Sequence, residues 1–194
     1  MRLGLKPFTL VGATTKIGSM SAPLRDRFVH QFKLAFYAPD EMRQIVDRTA
    51  GILGVTLDSG ASQRIACSAR ATPRIANRLI RSIRDFAQVE GESAISIDRV
   101  QSTLGALGID DRGLDCTDRA ILESIIAKFA GGPVGLSTLA AVTSEEEETL
   151  EDVYEPYLMQ QGFLQRTPKG RIATKLAYEF LGISVPEGVQ GAML

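Results

Sequence analysis

No stretch of the sequence approaches the roughly 18 consecutive apolar residues of a membrane span, and the first residues carry no signal-peptide apolar region, which makes a cytoplasmic protein the expectation. Cysteine is almost absent. Cys67 and Cys116 stand alone, without a C-x-x-C pair or a Cys/His cluster, which argues for reduced thiols over a zinc site or a disulfide framework. The sole histidine, His30, has no serine, cysteine or carboxylate constellation around it and reads as a strand-edge or interface residue. Charge of neither sign dominates: 22 Lys and Arg face 23 Asp and Glu, so any nucleic-acid affinity must come from a local patch. The most informative absence is the G-x-x-x-x-G-K-[ST] phosphate loop, which occurs nowhere in the 194 residues.

What is present begins with "FTLVGA", residues 8–13, a run rich in β-formers that reads as a strand buried on both faces, as in a parallel sheet. The next extended candidate is residues 30–37, so residues 1–39 read as the tail of a larger α/β domain and the chain as a fragment. Helices follow. Asp40 is the expected N-cap of the first, with Met42, Ile45, Val46, Ile52 and Leu53 on its apolar face and a stop at Gly54. A second spans about 59–70. A third has Thr72 as N-cap, Pro73 at its first position and Ile75, Leu79, Ile83, Phe86 and Ala87 along one side. A fourth, from Ser96 or Asp98, carries Val100, Leu104 and Leu107, completing a compact bundle.

Residues 108–115 are polar and glycine-punctuated and read as a linker. Beyond them come a helix over about 117–129, a "GGPVG" break and a short helix over 136–141. Ser144 and Glu147 have the spacing of a capping box, and the acidic run 145–148 reads as a solvated helix start. "FLQRTPKGRIAT" gives two strands around a Pro-Lys-Gly turn, and "KLAYEFLGI" a closing helix. Three helices, a basic hairpin and a last helix are the order of a winged-helix domain, and residues 184–194 read as a loose tail. The fold class is therefore mainly α: the end of an α/β domain, a helical bundle and a winged helix.

The arginines carry the chemistry. Arg74 lies in the first turn of its helix, where a cation opposes the helix dipole by up to about 1 kcal/mol. The same turn, with free N–H groups, is a good anion site. Two readings stand: a phosphate sits there, or Arg74 pairs with an acid such as Asp85 or Asp58. Arg25 and Arg27 follow a Gly/Ser loop, two apart, so extended backbone would point both to one side. They suit a guanidinium offered across an interface to a γ-phosphate, or a surface pair with Asp26. On the hairpin, Arg166, Lys169, Arg171 and Lys175 lie within ten residues, and no acid occurs from 156 to 178. Four phosphate contacts there would give a log–log salt slope of roughly −3.6. Tyr37 stands where it could stack on a base or fill a domain junction.

Together "FTLVGATTKIGSMSAPLRDRF", "ATPRIANRLIR", "FAGGPVGLSTLAA" and "EPYLMQQGFLQRTPKGRIAT" closely resemble the C-terminal part of the RuvB family, bacterial AAA+ motors that drive Holliday-junction branch migration in recombination and repair. The resemblance runs from about residue 7 to 183. It implies that residues 1–39 end the large ATPase domain, 40–110 form the small lid and 113–183 the winged-helix head. It makes Thr14 or Thr15 the sensor 1 residue, Arg27 the arginine finger acting on a neighbour's ATP, and Tyr37 and Arg74 nucleotide contacts, with Arg74 as sensor 2. It assigns Arg166 and Arg171, beside Lys169, to duplex DNA. It also implies ATP or ADP with Mg2+, a homo-hexameric ring, RuvA and RuvC as partners, and a place in the SOS response. Ala71 departs from the family's usual glycine, stiffening the turn before Arg74. The phosphate loop and Mg2+ ligands are not in this sequence, so the chain alone is expected not to hydrolyse ATP. Two other readings share some of these features: a winged-helix DNA-binding regulator without enzyme activity, and a clamp-loader-like AAA+ subunit.

Overall fold

A strand must share its backbone hydrogen bonds with neighbours, and the run at 8–13 pairs with no strand among the described residues. The computed structural model describes residues 6–186, and the chain divides into two units, 1–35 and 36–194. In the first unit the expected strand is absent. Phe8, Leu10 and Val11 are exposed, and residues 30–35 form no strand either, with Phe32 and Leu34 solvent-facing and His30 stacked on Phe32. The regular structure there is a 3-10 turn at Ile17–Ser19 and α1 (Ala22–Arg25).

The second unit holds two separate apolar cores. The first belongs to α2 (Pro39–Leu53), α3 (Ser59–Ser68), α4 (Pro73–Val89) and α5 (Ile97–Ala106), with a short parallel pair, β1 (Thr56–Leu57) beside β2 (Ala94–Ile95). Helix α2 starts earlier than Asp40. Ala38 is its N-cap, Pro39 fills the first position, and the Glu41 carboxylate accepts a hydrogen bond from the Ala38 N–H at 2.8 Å. It ends where Gly54 turns left-handed at φ +67°. Its buried side chains, Met42, Val46 and Ala50, recur every four residues, one stripe of a helix. Ile52 lies off that stripe, 72% exposed. Thr72 and Pro73 open α4, whose buried face is Ala76, Leu79, Ile80, Ile83 and Ala87; Phe86 is displaced from it and exposed, as is Leu107 after α5. Asp58 caps α3 through the Ala61 N–H and also accepts from the Ile97 N–H at 3.1 Å, tying the starts of α3 and α5 together.

The second core is built by α6 (Cys116–Glu123), which widens into a π turn at Ser124–Lys128, then α7 (Leu136–Thr143), α8 (Glu147–Thr149), a second π turn at Leu150–Tyr154, α9 (Glu155–Gln160), the hairpin β3 (Leu164–Thr167) and β4 (Gly170–Ala173), and α10 (Lys175–Leu181). The strands are antiparallel, with Arg166 opposite Arg171 and the turn at Pro168 and Lys169. "GGPVG" does more than break the chain. Val134 bridges Arg171 from the far side of β4, and a side chain at Gly132 would strike the Arg171 carbonyl. The capping box expected at Ser144 does not form: Ser144 turns left-handed at φ +58° to end α7, and Glu146 precedes α8. Most of the expected tail, 187–194, lies outside the described residues.

The stretch 108–115 is the largest departure from expectation, because its polar side chains and carbonyls bond rather than dangle. The Asp110 carboxylate accepts from the Arg112 and Leu114 N–H groups at 2.8 and 2.9 Å. Ile109 packs on the first core while Leu114 is fully buried in the second. At the start of α6, Asp115 accepts from the N–H groups of Thr117 and Asp118, and Asp118 accepts in return from the Asp115 N–H at 2.9 Å.

Asp118 is completely buried, and that burial pushes its pKa up to about 7 against the opposing pull of Arg70. Arg70, Asp115 and, from α9, Tyr157 face it. Because the folded pKa lies above the unfolded one, the folded state binds the proton more tightly. The stability Asp118 contributes is full below the ordinary carboxylate range and is lost as pH rises through about 7. Relative to Asp118→Asn, the wild-type unfolding free energy should therefore fall between pH 4 and 7, with a slope of at most about 1.4 kcal/mol per pH unit. Parallel curves for the two proteins would contradict this.

Candidate functional site

In the first unit, Thr14 and Thr15 lie in an exposed loop, where the Thr14 hydroxyl oxygen accepts from the Lys16 N–H at 3.0 Å. Arg25 closes α1, and the Arg27 N–H bonds back to the Leu24 carbonyl at 3.2 Å. The backbone is thus a helical turn at this point. Residues two apart on a helix do not face the same way, so Arg25 and Arg27 do not share a side as extended backbone would have required. Arg27 is exposed, and among the described residues no carboxylate pairs with it, Asp26 included.

In the second unit, Arg74 occupies the second position of α4, immediately after Pro73. Both acids considered as its partners are engaged elsewhere. Asp85 binds Arg84 at 2.6 Å and Asp58 caps α3, so among the described residues Arg74 has no carboxylate partner. Arg43, Arg64, Arg84 and Arg99 of these helices pair with Asp47, Asp111, Asp85 and Glu92, whereas Arg48, Arg78 and Arg81, like Arg74, have no carboxylate partner among the described residues; what sets Arg74 apart is its place in the first turn of α4. Pro73 has no N–H, and those of Ile75 and Ala76 donate to the Thr72 carbonyl at 3.0 and 3.1 Å, so what this helix end offers an anion is chiefly the Arg74 guanidinium. It opens a shallow cleft of about 590 Å³ along α4, lined also by Asn77, Arg78, Arg81, Ser82 and Asp85. Tyr37 is 46% exposed, leaving its ring available for contact.

On the hairpin most of the basic side chains are paired with acids. Arg171 is buried and bonded through two nitrogens to Glu155 of α9, at 2.6 and 3.2 Å. Its guanidinium is engaged by Glu155 in this structure. Arg166, half exposed, pairs with Glu151 at 2.7 Å, and Lys175 with Glu179 at 3.5 Å. Lys169, at the tip of the turn, is exposed and has no carboxylate partner among the described residues. Glu151 and Glu155 were missed because the acid-free stretch begins at residue 156, one position after Glu155. The signal was the spacing of Glu147, Glu151 and Glu155 at four-residue intervals ahead of a basic hairpin. Among the described residues no group of His, Cys, Asp and Glu could hold a metal, both cysteines are free, and no helix is long and apolar enough to cross a membrane.

A helical lid with a free arginine at the mouth of α4, followed by a winged helix, matches known domains along almost its whole length. The matches are the Holliday junction DNA helicase RuvB P-loop domain over residues 1–34, the RuvB AAA lid domain over 37–110 and the RuvB C-terminal winged helix domain over 111–182. These define an AAA+ protein whose lid carries a winged-helix head. The chain belongs to the RuvB family. It is 49% identical to Thermotoga maritima RuvB, described as a Holliday junction branch migration motor, with a TM-score of 0.87 over 94% of this chain and 61% of that one. A point variant of the same protein is 48% identical, with a TM-score of 0.88 over 94% and 60%. The chain thus spans about three-fifths of the length of these relatives.

Proposed function

We propose that the chain is the lid and DNA-gripping head of an ATP-driven motor that moves duplex DNA through a Holliday junction in recombination and repair. Bound ATP, with Mg2+ held by residues outside this sequence, would supply the phosphoanhydride whose hydrolysis drives the motor. Arg74 holds a phosphate of the subunit's own nucleotide from the lid side, and Tyr37 contacts the base. Arg27 reaches a γ-phosphate in the neighbouring subunit of a hexameric ring, with Thr14 or Thr15 as sensor 1. The ring works in the cytoplasm beside RuvA and RuvC, within the SOS response. Without a phosphate loop the 194-residue chain alone turns over no ATP.

The observation that carries this reading is Arg74, left free at a helix N-terminus while the nearby acids are bonded to other groups. In the full-length protein Arg74→Ala should raise the Kd for ATP about tenfold or more, a loss of about 1.4 kcal/mol. Arg84→Ala, which removes a paired arginine of the same helix, should leave it unchanged. Equal affinities for the Arg74 variant and wild type would refute the assignment.

On the DNA side, Lys169 is free and Arg166 can exchange Glu151 for a phosphate, while Arg171 holds β4 against α9. Two contacts per head predict a salt slope of roughly −1.8 for duplex binding by this chain, in place of −3.6. Arg166→Ala with Lys169→Ala should bring the slope close to zero. Binding indifferent to base sequence supports a motor head, whereas tight binding to one sequence would favour a regulator.

A further inference from the structure

The segment from Arg70 to Arg74 joins α3 to α4 and is anchored at both ends to different parts of the molecule. Arg74 opens α4. Arg70 points the other way, into the winged helix. Its Nε donates to the Gly113 carbonyl at 2.9 Å, its Nη2 pairs with Asp115 at 3.0 Å and with the buried Asp118, and its guanidinium lies 5.0 Å from the centre of the Tyr157 ring of α9. Burial raises the Tyr157 pKa to about 12, keeping the hydroxyl protonated as the donor to the Arg112 carbonyl. Helix α3 adds a second hold, since Arg64 binds the Asp111 carbonyl at 2.8 Å and its carboxylate at 2.6 Å. There is no slack between these parts. A Cβ on Gly113, which sits at φ +75°, would lie 2.8 Å from the Ser68 carbonyl oxygen at the end of α3.

Two features make the segment stiff. Arg70 and Ala71 are consecutive non-glycine residues in the left-handed region, at φ +51° and +49°, a conformation that persists only where surrounding contacts hold it. The Thr72 hydroxyl donates to the Arg70 carbonyl at 2.9 Å, bracing the turn from inside. Along the chain the two cores are joined by a closed turn between Ile109 and Leu114, in which the Asp110 N–H donates to the Leu114 carbonyl at 3.0 Å and the Gly113 N–H to the Asp110 carbonyl at 3.1 Å. A flexible tether would let the winged helix swing freely. This junction instead fixes it to α3 through charge and close backbone contact.

We infer that Arg70 is the positioning residue that transmits the nucleotide state read at Arg74 to the DNA-gripping head, with residues 70–74 as the coupling element. The inference rests on the nucleotide role given to Arg74 above and deepens it. A shift of α4 that follows a phosphate at Arg74 moves a five-residue segment whose far end is locked into Gly113, Asp115 and Asp118. The head then turns with the lid, and DNA held at Lys169 and Arg166 moves with it. Arg70 touches neither nucleotide nor DNA in this scheme.

The test separates coupling from chemistry in the full-length protein. Arg70→Met combined with Asp118→Asn removes the guanidinium and its buried carboxyl partner together, so neither is left buried without the other. Arg70→Lys keeps the charge but cannot reproduce the planar fork. ATP turnover and duplex affinity should stay within about twofold of wild type in both, while base pairs migrated per ATP fall about fivefold or more in the double variant and less in the lysine variant. Gly113→Ala, which pushes the same junction apart from the other side, should lower the ratio as well and guards against a double variant that fails to fold. An unchanged ratio in the double variant and in Gly113→Ala would overturn the coupling role and leave the motor reading standing. A wild-type protein that hydrolyses ATP without moving a junction would instead overturn the motor reading.

Discussion

Replacing Arg27 by alanine in the full-length protein is expected to cut DNA-stimulated ATP turnover by roughly 10³-fold or more while leaving duplex affinity unchanged. The reasoning starts from charge. An exposed guanidinium with no carboxylate partner among the described residues gains nothing from its own fold. A free guanidinium brought against the γ-phosphate oxygens of a neighbouring subunit stabilises the charge that builds there in the transition state. Only five N–H donors in a planar fork do this well, so Arg27→Lys should recover little of the loss. Arg25 is the internal control, since it closes α1 and belongs to a different face of the same turn. Turnover of Arg27→Ala within a few-fold of wild type would remove the residue from the finger role.

The second large effect concerns stability. Glu155→Ala should cost the winged helix roughly 3–5 kcal/mol, because it leaves Arg171 buried beside an apolar core with its charge uncompensated. Glu155 and Arg171 are both buried, and the pair joins α9 to β4 through two hydrogen bonds. A loss of that size is a large share of the 5–15 kcal/mol that holds a typical domain together. Urea unfolding of the chain would show the midpoint of the head's transition shift sharply downward. Removing both charges, as Glu155→Ala with Arg171→Met, should recover most of it, since the cost comes from the orphaned cation. If Glu155→Ala unfolds within about 1 kcal/mol of wild type, the pair is not the buried anchor described here.

These two residues also show what the sequence made legible. Local features came through: Thr72 and Pro73 open α4, Gly54 ends α2, and the hairpin turns at Pro168 and Lys169, because a cap or a turn is decided by neighbours in the chain. The freedom of Arg74 was legible as a question, through its awkward place in a first helical turn, but not as an answer. Its two possible partners had to be seen bonded elsewhere. What the sequence hid was pairing at a distance. Arg171 read as a free cation because its partner stands sixteen residues earlier, on a helix that folds back against the strand. Residues 108–115 read as a loose linker because their composition is polar, while their anchors, Arg64 and Arg70, lie more than forty residues upstream. The run at 8–13 read as a strand on composition alone, and a strand exists only where another lies beside it.

The central claim is that Arg27 and Arg74 meet the same nucleotide from two different subunits. Mixed rings of full-length Arg27→Ala and Arg74→Ala proteins test it in one measurement of ATP turnover. At ATP well below the Kd of the Arg74→Ala protein, each variant alone lacks one of the two contacts at every site and turns over little. In a one-to-one mixture, about a quarter of the interfaces pair an intact Arg74 with a neighbour's intact Arg27, so turnover should rise to about a quarter of the wild-type rate. A mixture no more active than the average of its two components would contradict the claim, because it would mean that the two arginines act within one subunit or not on nucleotide at all.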